Sequence, residues 1–122
     1  MNCPFCTLPP ARIAKENAHA VRIRDAYPVS PGHSLVIPKR HIGSWFEASE
    51  EERSAMLQLL DDAKLLLEAE LRPDGYNIGI NDGPAAGQTV PHLHMHLIPR
   101  FKGDVPDPRG GVRWVIADKA KF

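Results

Sequence analysis

The segment Val90-Pro91-His92-Leu93-His94-Met95-His96-Leu97-Ile98 carries three of the chain's six histidines at every second position. Side chains of an extended segment alternate between faces, so His92, His94 and His96 share one face while Leu93, Met95 and Leu97 share the other. Successive histidine Cα atoms then lie about 6.7 Å apart. Three chemistries are compatible with such a stripe. It is a solvated polar face, or a metal site in which His-x-His holds one zinc ion with an open position for hydrolysis. The third is nucleophilic catalysis. A neutral imidazole attacks phosphorus near pH 7, and neighbouring imidazoles donate to phosphoryl oxygens or to the leaving group. The upstream Gly87-Gln88-Thr89 supports this third chemistry, because glycine lets backbone approach an anion while an amide and a hydroxyl donate hydrogen bonds.

A second cluster stands at the start of the chain. Cys3-Pro4-Phe5-Cys6 contains the only two cysteines, too few for a disulfide framework, and their spacing points to metal or redox chemistry. Two cysteines alone supply half of a four-ligand structural site.

Both clusters need elements to hold them. Alternating or short apolar runs predict strands at His19–Asp25, His33–Pro38, Gly75–Asn81, Val90–Ile98 and Val112–Ile116. The clearest helix begins at Ser49, where Ser49-x-x-Glu52 forms a capping box and Glu50 and Glu51 complement the helix dipole. Met56, Leu60, Ala63 and Leu67 make its apolar stripe, widened by Leu59 and Leu66. Arg72-Pro73-Asp74-Gly75 ends it. One long helix among about five strands predicts an α+β fold on an antiparallel sheet, with residues 1–122 as a single domain and the strands at 75–81 and 90–98 paired as a hairpin.

Composition excludes several classes. With 43% hydrophobic and 25% charged residues the chain is neither a disordered tail nor a fibre. Fifteen basic against fifteen acidic residues leave no cationic excess for a nucleic-acid polymer, so phosphate recognition must be local. No apolar run is long enough to span a membrane, and the first residues have no basic stretch leading into an apolar one. A cytoplasmic protein is the expectation.

His92-Leu93-His94-Met95-His96-Leu97-Ile98 resembles the signature of the histidine triad (HIT) family of nucleotide hydrolases and transferases. Pro31-Gly32-His33-Ser34-Leu35-Val36-Ile37-Pro38-Lys39-Arg40-His41, Asn81 and Gly87-Gln88-Thr89-Val90 are similar to further blocks of that family, in the same order. The resemblance implies a HIT-like fold, with a short N-terminal helix or loop, paired into a homodimer. It implies a small-molecule purine nucleotide as substrate, cleaved between its α-phosphate and a leaving group X through a covalent nucleotidyl-histidine. His94 would be the nucleophile, requiring a neutral ring with its proton on Nδ1 and a backbone carbonyl to accept it. His96 would contact the phosphoryl oxygen or help protonate X, and His33 would be a fourth active-site histidine. Gln88 and Thr89 would line the phosphate pocket, Asn81 would contact phosphate or nucleotide, and Asp25 would hold the ribose hydroxyls. No organic cofactor and no catalytic metal is implied.

The N-terminal CxxC resembles one branch of the superfamily in particular. There it implies a structural zinc held by Cys3, Cys6, His41 and His92, leaving His19 as a solvated spare. Beyond the signature, Arg109 and Arg113 read as surface charges rather than polyphosphate ligands.

Overall fold

The computed structural model describes residues 3–121. Five strands, β1 (Ile13–Glu16), β2 (Ala20–Arg24), β3 (Ser34–Pro38), β4 (Gly75–Gly79) and β5 (Met95–Arg100), form one antiparallel sheet in the order β1-β2-β3-β5-β4. The helix α1 (Glu50–Glu70) joins β3 to β4 and packs across β2 and β3. Among the described residues no helix is long and apolar enough to cross a membrane.

Period-two alternation divides the sheet into two faces. Ala20, Val36 and Met95 meet Ala55, Met56 and Leu59 of α1. Val21, Ile23, Leu35 and Ile37 point the other way, beneath Phe5, Leu8 and Ile13 of the N-terminal segment. Because Leu35 pairs with His96 and Val36 with Met95, His96 belongs to this second face. Asp25 and His33 continue the same parity from β2 and β3. The candidate chemistry therefore lies opposite the helix, under the N-terminal segment.

The loop carrying Asp25 and His33 is closed at both ends. Asp25 N–H donates to the His33 carbonyl at 3.0 Å, and His33 N–H donates to Ser30 at 3.1 Å. Gly32 takes φ +84°, and a Cβ there would stand 2.6 Å from Leu67 Cδ2 and 2.9 Å from Leu71 Cδ1, so the end of α1 presses on this loop.

Several strand boundaries differ from expectation. β5 begins at Met95, not Val90, because Pro91 has no N–H, His92 N–H turns back to Val90 at 2.8 Å, and Leu93 N–H donates to Ile42 at 2.7 Å. His92 and His94 thus sit on the irregular lead into the strand. The stretch expected as a strand at 112–116 is instead a 3₁₀ turn, Gly111–Val115, entered through Gly110 at φ +98° and Gly111 at φ +49°. β1 lies at the sheet edge with one half-buried residue, so no alternation marks it in the sequence. Leu66 is exposed rather than part of the helix stripe. The left-handed residue that ends α1 is Arg72, at φ +48°, rather than Gly75.

The capping box forms as expected, with Glu52 N–H donating to Ser49 Oγ at 3.1 Å and Ser49 N–H to Glu52 Oε1 at 2.9 Å. Arg40 adds a fork onto the same buried carboxylate at 2.7 and 3.0 Å. These hydrogen bonds from Arg40, with those from Ser49, hold the Glu52 carboxyl down at about 2. A carboxyl depressed on folding stabilises above its unfolded value, near pH 4.5, and loses that contribution as pH falls toward 2. Glu52→Ala is expected to cost about 1–3 kcal/mol at pH 7 in thermal or urea denaturation, and the gap to wild type should close in acid.

Candidate active site and metal centre

The main chain fixes the proton on each buried imidazole. A carbonyl only accepts, so the 2.8 Å contact from His92 Nε2 to Pro38 O places a proton on Nε2 and leaves Nδ1 bare. His94 is the mirror case. Its Nδ1–H donates to the His92 carbonyl at 2.9 Å, which leaves the Nε2 lone pair free. At His33 the main chain acts as donor, Val29 N–H reaching Nδ1 at 3.2 Å, so the ring proton is on Nε2. That Nε2–H stands 2.9 Å from His96 Nδ1 and 3.4 Å from Asp25 Oδ2. His96 accepts at Nδ1 and therefore carries its own proton on Nε2.

Burial favours the neutral form of His33, His92 and His96. It pushes His33 down despite the opposing charge of Asp25, and it pushes His92 down despite the bond to Pro38. His96 falls to about 4, through burial first and then the neighbouring His94 and His33. The rings of His94 and His96 lie with centroids 5.2 Å apart.

The bare Nδ1 of His92 points at three other donors. It lies 3.4 Å from Cys3 Sγ, 3.5 Å from Cys6 Sγ and 3.1 Å from His41 Nδ1, while Cys6 Sγ and His41 Nδ1 are 3.2 Å apart. All four ligand atoms fall within 4.8 Å of one another. A tetrahedral ion bound at about 2.3 Å by sulfur and about 2.0 Å by nitrogen has edges of roughly 3.3–3.8 Å, close to these spacings. The donor set fits a divalent metal, and four protein ligands leave no position open. His19 is exposed and lies outside this cluster.

Between the Cys/His cluster and Asp25 opens a cavity of about 340 Å³. Asp25, Asn81, Thr89, His94 and His96 line it, with Pro4, Phe5 and Leu35 as an apolar wall. Phe5 projects from between the cysteines and sets its ring 5.1 Å from that of His94. The Asn81 amide and the Thr89 hydroxyl have no hydrogen-bond partner among the described residues, so both are available to a ligand. Gln88 is differently engaged. Its Oε1 accepts from Gly83 N–H at 2.8 Å and its Nε2 donates to Gly43 at 2.8 Å and Val90 at 3.2 Å, so the side chain braces the loop instead of lining the cavity. Arg109 pairs with Asp107, and Arg113 donates to the Lys119 carbonyl; neither lines the cavity. Sequence reasoning passed over Phe5 and Arg12 as cavity residues. Its place inside the Cys3-x-x-Cys6 loop was a usable signal for Phe5, since anchoring the two cysteines constrains the short loop between them; Arg12 had none.

The HIT domain profile matches residues 9–103. The chain is 38% identical over 109 residues to Protein hit of Bacillus subtilis, an alignment covering 84% of this chain and 74% of that protein. It is 40% identical over 77 residues to the asymmetrical bis(5'-nucleosyl)-tetraphosphatase of Schizosaccharomyces pombe, covering 63% of this chain and 42% of that one. The crystal structure of a HIT family protein from Bacillus anthracis superposes with a TM-score of 0.77 at 36% identity, over 84% of this chain and 76% of that chain. Fold, profile and sequence agree that this chain belongs to the HIT domain family.

Proposed function

We propose that this chain cleaves the bond between the α-phosphate and X in nucleotide compounds NMP–X, as a hydrolase or nucleotidyl transferase acting through His94. The observation that carries this reading is the bond from His94 Nδ1–H to the His92 carbonyl, which leaves an unprotonated Nε2 beside a nucleotide-sized cavity. Nε2 attacks the α-phosphorus in line, the P–X bond breaks, and X departs with its electron pair, taking any proton it needs from water. Water then attacks the nucleotidyl-imidazole, the N–P bond breaks, and NMP is released with His94 restored. The sum is NMP–X and water giving NMP and HX. In a transferase, another acceptor takes the place of water.

His96 is neutral with its proton on Nε2, so it serves as a hydrogen-bond donor to a phosphoryl oxygen, the first of the two roles open to it from sequence. His33 holds that tautomer through the 2.9 Å bond, and Asp25 orients His33 while offering its carboxylate to the ribose hydroxyls. Asn81 and Thr89 donate to the phosphates. The name of the fission yeast relative, a dinucleoside tetraphosphatase, supports this substrate class.

Zinc suits the Cys3, Cys6, His41 and His92 donors, two thiolates and two imidazoles. When bound it supplies structural cross-linking, tying the N-terminal segment to the sheet. A closed four-ligand set speaks against a metal-activated water on the histidine stripe.

Incubation with adenosine phosphoramidate or diadenosine tetraphosphate, followed by acid quench and intact-mass spectrometry, should reveal a covalent AMP adduct on wild type. His94→Ala should lose the adduct and reduce turnover by about 10³-fold or more. Vigorous turnover by the variant would overturn the mechanism. Elemental analysis should find one zinc per chain, lost in a Cys3→Ser, Cys6→Ser double variant. Stripping the metal should lower the melting temperature while the protein still folded retains turnover; complete loss of turnover in folded, metal-free protein would instead favour a zinc-dependent hydrolase.

A further inference from the structure

Arg12 is a cation at the cavity that the reaction above does not use. It ends a 3₁₀ turn, Pro10–Arg12, that begins after Pro9, so two prolines stiffen its mount. One of its nitrogens, Nη2, donates to the Arg24 carbonyl at 3.1 Å, immediately before Asp25. Its remaining N–H groups have no partner among the described residues, and the side chain lines the same cavity as Phe5, Asp25 and His94.

Contacts within the site give the cavity an order. His94 neighbours His96, His96 bonds to His33 at 2.9 Å, His33 stands 3.4 Å from Asp25, and the residue before Asp25 holds Arg12. If the α-phosphate is at His94 and the ribose at Asp25, as the proposed function has it, the base extends toward Arg12. The apolar side of the cavity, from Pro4, Phe5 and Leu35, accommodates a flat ring.

A guanidinium has only donors, arranged as a planar fork. It matches an edge with two adjacent acceptors, which a 6-oxopurine offers at O6 and N7. Adenine presents a donor, its N6 amino group, where the oxopurine has O6. We infer that Arg12 reads the base, so that this site prefers guanine or hypoxanthine nucleotides over adenine nucleotides. This inference rests on the placement of the nucleotide in the proposed function.

Isothermal titration of the full chain with GMP and with AMP tests it. Wild type should bind GMP about tenfold or more tightly than AMP. Arg12→Ala should weaken GMP by about that factor and leave AMP within about twofold. Arg12→Lys, which keeps the charge and loses the fork, should also lose the preference. Equal wild-type affinities, or equal weakening of both nucleotides in Arg12→Ala, would overturn base reading while leaving the proposed reaction standing. Failure of wild type to bind either nucleotide would overturn both.

Discussion

The arrangement of the site depends on main-chain atoms deciding where imidazole protons reside. The Pro38 and His92 carbonyls and the Val29 amide each engage one ring nitrogen, and the opposite nitrogen is thereby assigned. Backbone positions are set by the sheet and its flanking turns, so these assignments follow from the fold rather than from side-chain rotamers. Burial reinforces them by disfavouring the doubly protonated form of His33, His92 and His96.

The two faces of the sheet have different duties. One is closed by α1 and supplies most of the apolar core, while the other is covered by the N-terminal segment and keeps a cavity beneath it. Gly32 couples the two. The end of α1 presses into the turn just before His33, so helix packing and the position of the His33 ring are one geometric problem. At the opposite side, Phe5 extends from between the cysteines onto His94, which joins the Cys/His cluster to the cavity through an aromatic contact.

Much of this was legible in the sequence because it rests on local periodicity. The alternation of His92, His94 and His96 against Leu93, Met95 and Leu97 survives in the structure as ring-lined and core-facing sides, and Ser49 with Glu52 marks the helix start. What periodicity could not reveal is where ladder bonding begins. Leu93 bonds to Ile42, a partner distant in sequence, and this delays β5 to Met95. Edge strand β1 has no buried alternation to detect, and the apolar run near Val112 becomes a turn because Gly110 and Gly111 set the backbone before it. Gln88 illustrates a different limit. Its residue type announces a donor, but only the surrounding carbonyls reveal that the loop itself consumes both of its amide protons.

His92 performs two duties with different atoms: its ring joins the cysteines, and its peptide oxygen orients the next histidine on the stripe. Only the first duty needs an imidazole, since every amino acid brings the oxygen. Descendants of such a chain are therefore free to abandon the thiols one substitution at a time, as long as new packing pins the leading segment. The orientation of the His94 ring would outlast the ligand cluster beside it.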